Sequence, residues 1–300
     1  MSTSPLSAPV PAPAIAPWRD VLSLTKPRLA LLNVFMTAGG MWLAPGQLDW
    51  ATKLFTLLGT ALVIGGACTL NCYLERDADA LMVRTRNRPL PTGRLSPQFA
   101  LRFGLALSAL GVPMLTFGVN ALTGLLGAVA LISYVLVYTP MKRVSSHALL
   151  VGAVPGAIPP LMGWTAATGR VDATGLVLFS ILFVWQVPHF LALSLVLKDD
   201  YARAGIKVTP LERGEDSTRF EMIRYQVALV LISLMLVPLG VAGTVYVFCA
   251  AILGLAFLGF GAAGMRREAG IRWARSVFGV SILYLMLLFV ALMVDRTVGR

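Results

Sequence analysis

Long apolar stretches recur along the chain, and short polar or glycine-containing segments separate them. A helix needs about 20 apolar residues to cross the hydrocarbon core of a bilayer. Nine stretches reach that length, so the pattern predicts an all-α, polytopic membrane protein with nine transmembrane helices. The predicted spans are 28–46, 52–72, 98–117, 120–138, 147–167, 174–196, 222–240, 243–264 and 276–294.

The composition excludes an ordinary soluble domain. Hydrophobic residues make up 57% of the 300 residues and charged residues only 13%, whereas soluble domains carry about 25% charged residues. We attribute the net charge of +11 to membrane topology, because basic residues in membrane proteins accumulate on the cytoplasmic side. No nucleic-acid partner is therefore expected.

The distribution of Lys and Arg predicts how the helices are oriented. With the N-terminus inside, 21 of the 25 basic residues fall in inside segments and four fall outside, which predicts an N-in, C-out topology. The loops after the second and sixth spans share an acidic-then-basic pattern, which predicts two four-helix-like repeats plus one helix. Residues 1–20 are expected to form a disordered cytoplasmic tail and 21–300 a single transmembrane domain.

Asn71, Glu75 and Asp79, called here the first acidic cluster, follow one another at four-residue steps at the end of the second span. At 100° per residue they share one helix face, and Asp77 points elsewhere. Such oxygen ligands suit Mg²⁺, and acids at a membrane boundary favour a functional role. The alternative is a solvated helix end whose acids pair with nearby arginines.

The second acidic cluster, Asp199 and Asp200 with Lys198 before them, ends the sixth span on the same membrane side. Two acidic clusters among basic residues predict a site for a polyphosphate bridged by metal ions, since Mg²⁺ takes many of its ligands from phosphate. Plain topology charge explains the number of basic residues but not how they alternate with acids. The basic residues predicted to bind phosphate are Arg84, Arg86, Arg88, Lys142, Arg143, Lys198 and Lys207.

His189 lies well inside the sixth span, beside Gln186 and Pro188. A lone histidine in a helix is more often a structural residue, but Gln186, Pro188 and the acids that follow favour function, and Gln186 is predicted to bind substrate. The hypotheses are axial ligation of an iron porphyrin or binding of a water molecule.

Taken in order, these motifs resemble the UbiA superfamily of intramembrane aromatic prenyltransferases, and within it the branch that modifies haem. The similarity extends from Leu24 to Leu292. The stretches that carry it are Leu24–Arg28, Asn71–Pro91, Tyr138–Arg143, Gly156–Trp164, Trp185–Leu191 and Asp199–Tyr201.

The resemblance implies a prenyltransferase that moves a farnesyl group from farnesyl diphosphate to the 2-vinyl group of haem B, with addition of water, giving haem O and diphosphate. It implies Mg²⁺ as the cofactor, held by both acidic clusters, with Lys207 near the second. It also implies an active site on the cytoplasmic face of a bacterial inner membrane and haem A synthase, the next haem-modifying enzyme, as a partner. Benzoate-prenylating relatives carry acids where this chain has Leu197 and Tyr201, so the number of metal ions stays open.

Three alternatives remain at this point. The first is another UbiA-type prenyltransferase, acting in quinone or chlorophyll synthesis. The second is a transporter of an anionic lipid or porphyrin, and the third is a porphyrin-binding sensor. A transporter should hold its key polar residues near the middle of the bilayer, whereas most of them lie at one boundary here.

Overall fold

The computed structural model describes residues 18–266 and 269–298. Within these residues the protein is helical and contains no β-strand, so the all-α prediction is confirmed. The predicted N-terminal tail lies mostly outside the described residues, and residues 18–20 of it belong to the first helix.

Twelve helices follow one another along the described residues, three of them short and nine of them long. In chain order they are α1 (Trp18–Leu24), α2 (Pro27–Leu43), α3 (Trp50–Leu81), α4 (Pro97–Gly118), α5 (Ala121–Met141), α6 (Ala148–Thr168), α7 (Ala173–Val196), α8 (Lys198–Arg203), α9 (Thr209–Glu212), α10 (Glu215–Leu234), α11 (Thr244–Met265) and α12 (Ile271–Val298).

Seven of the long helices are long and apolar enough to cross a membrane, which identifies a multi-pass membrane protein. The other two are α2, which has 17 residues, and α10, whose first turns carry Glu215, Asp216 and Arg219. The predictions of nine spans, of their orientation and of an internal repeat stay predictions.

Polar side chains cap the starts of four long helices. Asp49, Ser96, Asn120 and Asp172 each accept a hydrogen bond from a backbone amide three residues on. Caps of this type stabilise a helix by about 0.5–2 kcal/mol. Each of these helices therefore has a defined first residue.

The helix α3 is longer than its predicted span, which ended at residue 72. It continues without a break to Leu81, so the first acidic cluster lies on its last turns. The segments between the long helices, which include the short helices α8 and α9, lie at two ends of the bundle. The charged end is made of the segments 82–96, 142–147 and 197–214, and the opposite end of 44–49, 119–120, 169–172 and 235–243.

The helices α2 and α6 approach each other closely where they cross. A Cβ atom added at Gly163 would lie 1.9 Å from the carbonyl oxygen of Thr37, and one added at Gly40 would lie 2.1 Å from that of Pro160. Small residues let transmembrane helices approach this closely. The contact holds α2 and α6 in place as two walls of the cavity described next.

Candidate functional site

A cavity of about 430 Å³ lies between α2, α3, α5, α6 and α7 and reaches the charged end. Along α3, apolar or weakly polar side chains line it from Val63 to Cys68, and the first acidic cluster lines it from Asn71 to Asp79. At 1.5 Å per residue, the lining on this helix extends about 24 Å from Val63 to Asp79. The cavity is therefore apolar in its depth and polar near the charged end.

The first acidic cluster lies on one face of α3, as the four-residue spacing predicts. Asn71 and Asp79 are each 1% exposed, and Glu75 lines the cavity between them. The side chain of Asp77 is 78% exposed and lies beside Arg76, away from the cavity. The same helix thus carries three oxygen-bearing side chains into the wall and one into solvent.

Each member of the first acidic cluster binds one cationic side chain from another segment. In a poorly solvated site such pairs satisfy charges that water does not reach. The contacts join Lys26 Nζ to Asn71 Oδ1 at 2.8 Å, Lys142 Nζ to Glu75 Oε1 at 2.6 Å, and the Arg88 guanidinium to Asp79 Oδ2 at 2.8 Å.

Asn71 has a second hydrogen-bond partner, whereas one carboxylate oxygen of Asp79 has none among the described residues. Asn71 donates to the hydroxyl of Thr139 at 3.1 Å, which fixes the orientation of its amide. Asp79 Oδ1 is buried and has no hydrogen-bond partner in the described part of the chain. A buried, unpaired carboxylate oxygen calls for a missing partner, and a hard cation such as Mg²⁺ is one that fits oxygen ligands.

A metal ion at this site would need ligands in addition to the carboxylates of the first acidic cluster. Among residues 18–266 and 269–298, no group of three or more His, Cys, Asp or Glu side chains is arranged to hold a metal ion. A Mg²⁺ ion here would depend on the amide oxygen of Asn71 and on oxygens from a bound phosphate. This is the usual situation for Mg²⁺, which takes one or two carboxylates and completes its shell with phosphate and water.

Lys26 is a cavity residue that the sequence analysis did not assign to the site. It precedes α2 and has a left-handed backbone, with φ of 48° and ψ of 64°, which is uncommon for residues other than glycine. Its ammonium group binds Asn71 from outside α3. The sequence feature that could have indicated a role in the site is its position inside the Leu24–Arg28 stretch, just before the first predicted span.

Two tyrosines of α5 also line the cavity, and sequence reasoning did not assign them. Tyr134 and Tyr138 lie in a π-helical segment, Ser133–Tyr138, and such segments are frequent at functional sites. The Lys142 ammonium lies 4.4 Å from the centre of the Tyr138 ring, within cation–π distance. Hydropathy alone gave no sign of this segment.

The structure does not bring the second acidic cluster to the cavity lining. Asp200 is buried and accepts hydrogen bonds from the backbone amides of Val83 and Arg84 at 3.1 and 3.3 Å. Burial raises the pKa of Asp200, but the hydrogen bonds from Arg203 and from these two amides outweigh it and hold the pKa below its ordinary value. The carboxylate of Asp200 therefore fastens the segment after α3, and the metal-binding role predicted for it is untested.

The other two residues of this cluster have different surroundings. Asp199 is exposed, and it has no hydrogen bond or ion pair with any described residue. Lys198 pairs with Glu215 at 2.8 Å. All three lie on α8, which begins after Leu197 interrupts the helix, and this interruption explains why the cluster does not continue the wall formed by α7. Tyr201, also on α8, does line the cavity.

The predicted phosphate-binding residues separate into two groups. Arg84, Arg88, Lys142 and Lys207 line the cavity. Arg86 and Arg143 are exposed and do not line it, and neither does Lys198. Arg86 and Arg143 are close in sequence to lining residues, but their side chains leave the turns of the chain on the solvent side.

His189 and Gln186 line the apolar part of the same cavity. Gln186 Nε2 donates to the carbonyl oxygens of Ala153 and Leu182, both at 3.1 Å. The bond to Ala153 ties α7 to α6, and the predicted role of Gln186 in binding substrate stays a prediction. His189 is 9% exposed and is held by contacts on both faces of its ring.

Comparison with known proteins identifies the family to which the chain is similar. The family model described as the UbiA prenyltransferase family matches residues 33–293. The protoheme IX farnesyltransferase of Anaeromyxobacter dehalogenans (strain 2CP-C) is 54% identical over 97% of this chain and 97% of its own. The protein of the same name from Myxococcus xanthus (strain DK1622) is 53% identical over 92% of this chain and 94% of its own.

Solved structures share the fold. One from a study of digeranylgeranylglyceryl phosphate synthase has a TM-score of 0.79 at 16% identity, covering 93% of this chain and 98% of its own. A UbiA homolog from Archaeoglobus fulgidus, bound to GPP and Mg²⁺, has a TM-score of 0.63 at 15% identity, covering 91% of this chain and 99% of its own.

The resemblance inferred from sequence motifs and the enzyme class are confirmed, and the transporter and sensor alternatives lose their support. The chain belongs to the UbiA prenyltransferase family.

Proposed function

We propose that this cavity is where the chain transfers a farnesyl group from farnesyl diphosphate to the 2-vinyl group of haem B, giving haem O and diphosphate. The two bacterial relatives above are named for this activity. The observation that carries the proposal is the change of lining along α3, from apolar between Val63 and Cys68 to oxygen-bearing between Asn71 and Asp79. One cavity thus suits an apolar chain with a charged head.

The diphosphate is assigned to the charged end of the cavity. Lys26, Arg88 and Lys142 each pair with a member of the first acidic cluster, and Arg84 lines the same region. Arginine and lysine are the residues that bind phosphate oxygens in proteins. A diphosphate offers these cations a second set of acceptors while leaving the acids to a metal ion.

Mg²⁺ is the proposed cofactor, and the first acidic cluster would hold it. The unpaired Asp79 Oδ1 supports this choice, and so does the A. fulgidus homolog of the same fold, which was solved with GPP and Mg²⁺ bound. When bound, the ion would supply positive charge to the leaving diphosphate. Asp199, exposed and without a partner among the described residues, is the member of the second acidic cluster that we assign to the same ion or a second one.

The apolar depth of the cavity suits the isoprenoid chain and the porphyrin. Removing apolar surface from water is favourable by about 25 cal/mol per Å², and no charged side chain interrupts the lining from Val63 to Cys68 on α3. His189 stands in this depth, and we propose that it contacts the haem iron and so orients the acceptor. We assign the binding of the porphyrin propionates to the basic residues at the charged end.

The reaction needs no covalent intermediate with the protein. The C–O bond of farnesyl diphosphate breaks, and its electron pair leaves with the diphosphate. The vinyl group of haem attacks the allylic cation and forms the new C–C bond. Water adds to the cation left beside the porphyrin ring and loses a proton. Lys26, Arg88 and Lys142 stabilise the diphosphate as its negative charge grows, and the apolar lining in the depth of the cavity limits the entry of water.

We propose that the charged end faces the cytoplasm, with nine spans, the N-terminus inside and the C-terminus outside. The excess of basic residues in inside segments supports this orientation. Reporters fused after Arg88, Arg143 or Arg213 should therefore report a cytoplasmic position, and one fused after Arg300 a periplasmic position. A cytoplasmic signal after Arg300 would contradict the nine-span topology.

Turnover by the purified full-length protein tests the proposed function. The protein is incubated with haem B, farnesyl diphosphate and Mg²⁺, and the haem is analysed by mass spectrometry. We expect the haem to gain one farnesyl group and one hydroxyl group, and to gain nothing when Mg²⁺ is chelated. Prenylation of a quinone precursor with no change in haem would contradict the proposal and favour another branch of the family.

A further inference from the structure

The ring of His189 is packed against aromatic side chains, which restrict the rotation of its plane. Trp185 stacks on it with ring centres 4.8 Å apart, and Phe278 from α12 stacks on it at 4.4 Å. The angles between the ring planes are 23° and 28°. With both faces covered by aromatic rings, the edge of the imidazole, which carries its two nitrogen atoms, is what remains for other contacts.

One of these nitrogen atoms contacts Ser281, a residue of α12 that is 0% exposed. The Ser281 Oγ lies 2.7 Å from His189 Nδ1 and 2.6 Å from the carbonyl oxygen of Phe278. Serine hydroxyls in helices commonly donate to a carbonyl three or four residues earlier. Ser281 therefore has two partners and only one hydrogen atom to give.

The two contacts of the hydroxyl determine which nitrogen of His189 is protonated. A carbonyl oxygen can only accept, so the single hydrogen of the Ser281 hydroxyl goes to Phe278 O. The hydroxyl must then accept from His189, which requires a hydrogen on Nδ1. In a neutral imidazole only one nitrogen carries a hydrogen, so the lone pair is on Nε2. A neutral ring is expected in these surroundings because taking a charge out of water is costly.

The second nitrogen opens to the cavity. His189 Nε2 has no hydrogen-bond partner in the described part of the chain, and it is not completely covered by protein atoms. Because His189 lines the cavity that also holds the first acidic cluster, we assign the accessible side of Nε2 to this cavity. An unprotonated Nε2 with a hydrogen-bonded Nδ1–H is the arrangement that metal-binding histidines use.

Ser281 makes a further hydrogen bond, which holds one of the rings that stack on His189. Its backbone carbonyl accepts from Trp185 Nε1 at 2.7 Å, so one residue of α12 holds both His189 and a ring that stacks on it. The two contacts join residues 92 and 96 positions apart in the chain. Ser281 is thus built into the packing of α12 against α7.

We propose that Ser281 is a positioning residue: it holds His189 as the Nδ1–H tautomer and so presents Nε2 to the iron of the porphyrin substrate. The proposal rests on the function proposed above for the ligand, whereas the tautomer itself does not depend on any ligand. A ligand held in this way binds iron more strongly, because the hydrogen bond at Nδ1 fixes the ring and raises the basicity of Nε2.

The tautomer is tested first in the ligand-free protein. The chain has two histidines, so a sample with ¹⁵N-labelled histidine gives two ring patterns, and the His189→Ala variant identifies which one belongs to His189. We expect a protonated Nδ1 and an unprotonated Nε2. A hydrogen on Nε2 would overturn the proposal whether or not the protein prenylates haem.

Haem titration of the full-length protein then tests the ligand. We expect wild-type protein to give the absorption and EPR spectra of imidazole-bound haem, His189→Ala to lose them, and added imidazole to restore them in His189→Gly. An unchanged spectrum in His189→Ala would overturn iron ligation and leave Nε2 to a bound water. Wild-type protein that forms haem O without imidazole-bound spectra would also overturn it, while wild-type protein that forms no haem O would instead overturn the proposed function.

Ser281→Ala separates positioning from simple packing. We expect the imidazole-bound spectrum to persist but haem affinity to fall about 10–100-fold, the usual effect of removing the group that orients a metal-binding histidine. Ser276→Ala is the matched control, because Ser276 lies on the same helix and also bonds a backbone carbonyl, but is exposed. Affinity unchanged in Ser281→Ala would overturn the proposal. Should that variant not fold, Ser281→Cys, whose thiol is a weaker acceptor, must lower affinity in the same direction.

Discussion

The first and second acidic clusters lie at the same end of the bundle, but their oxygen atoms have different surroundings. Asn71 and Asp79 are buried in the cavity wall, and each pairs with a cation from a different segment. Asp200 is also buried, yet its carboxylate binds backbone amides of the segment after α3. Asp199, its neighbour, is exposed. Similar charge patterns thus lead to different contacts in the folded protein.

The difference follows from the helices that carry the clusters. The first cluster lies on α3, a continuous helix of 32 residues, so its four-residue spacing keeps all three side chains on the cavity face. The second lies beyond Leu197, where φ of −106° and ψ of 19° interrupt the helical path. A cluster keeps its helical face only while its helix continues. One carboxylate of the second cluster is therefore without a contact among the described residues, while the other joins α8 to the segment after α3.

The largest effect is expected from the first cluster. Asp79→Asn keeps the size of the side chain but removes the charge that pairs with Arg88 and the unpaired oxygen assigned to Mg²⁺. Turnover should fall about 100-fold or more, the scale seen when one group that stabilises transition-state charge is lost. Mass analysis of the haem product measures it.

Asp77→Asn is the control for this experiment, because Asp77 is on the same helix but exposed. Its turnover should stay within about twofold of wild type, since changes at exposed positions away from a site usually have small effects. Equal losses in the two variants would show that the face of α3 does not matter, and the comparison of the two clusters would then be wrong.

An intermediate effect is expected from Asp199, the exposed member of the second cluster. If it joins the metal site when substrate binds, Asp199→Asn should lower turnover about tenfold at limiting Mg²⁺, because one carboxylate ligand is lost. Raising the Mg²⁺ concentration should restore part of the rate, and thermal stability should not change. Turnover that is independent of Asp199 at every Mg²⁺ concentration would remove the second cluster from the metal site altogether.

A smaller loss of activity, but a loss of stability, is expected from Asp200. Asp200→Asn keeps one acceptor but loses the charge that binds two amides and Arg203. Leaving buried donors poorly paired costs about 1–3 kcal/mol, so the thermal midpoint should fall while the Mg²⁺ dependence of turnover stays that of wild type. A shifted Mg²⁺ dependence with unchanged stability would instead assign Asp200 to the metal.

The stability difference between wild type and Asp200→Asn should depend on pH. The pKa of Asp200 in the folded protein lies below its ordinary value of 3.8, so its contribution is complete above the unfolded value and is lost as the pH falls through the folded one. Thermal midpoints measured from pH 7 downward should therefore converge for the two proteins below about pH 4. A constant difference would show that the charge of Asp200 is not what holds the loop.

Several features were predictable because they depend on neighbours in the chain. The helices follow from apolar length, since a bilayer demands internally bonded backbone over each span. The shared face of Asn71, Glu75 and Asp79, and the exclusion of Asp77 from it, follow from the helical repeat. The motif stretches were enough to identify the family resemblance that the comparisons confirm.

Other features could not be predicted because they join distant parts of the chain. Lys26 meets Asn71 across 45 residues, and Ser281 meets His189 across 92. The bond between Asp200 and the amide of Val83 spans 117 residues, and the sequence predicts a metal-binding role for Asp200 because only its charge is visible there. Local spacing carries no information on such pairs.

The sequence by itself determined that the protein lies in a lipid bilayer, that it is helical, and which helix face carries the first acidic cluster. Hydropathy and the 3.6-residue period decide these features, and both are local properties. Only the tertiary structure decided which cation meets which acid, which tautomer His189 adopts and which carboxylate of the second cluster is already bonded. Those outcomes depend on how α2, α3, α7 and α12 pack against one another. Buried polar groups must find partners wherever packing brings them, and the identity of each partner emerges only once the helices are in contact.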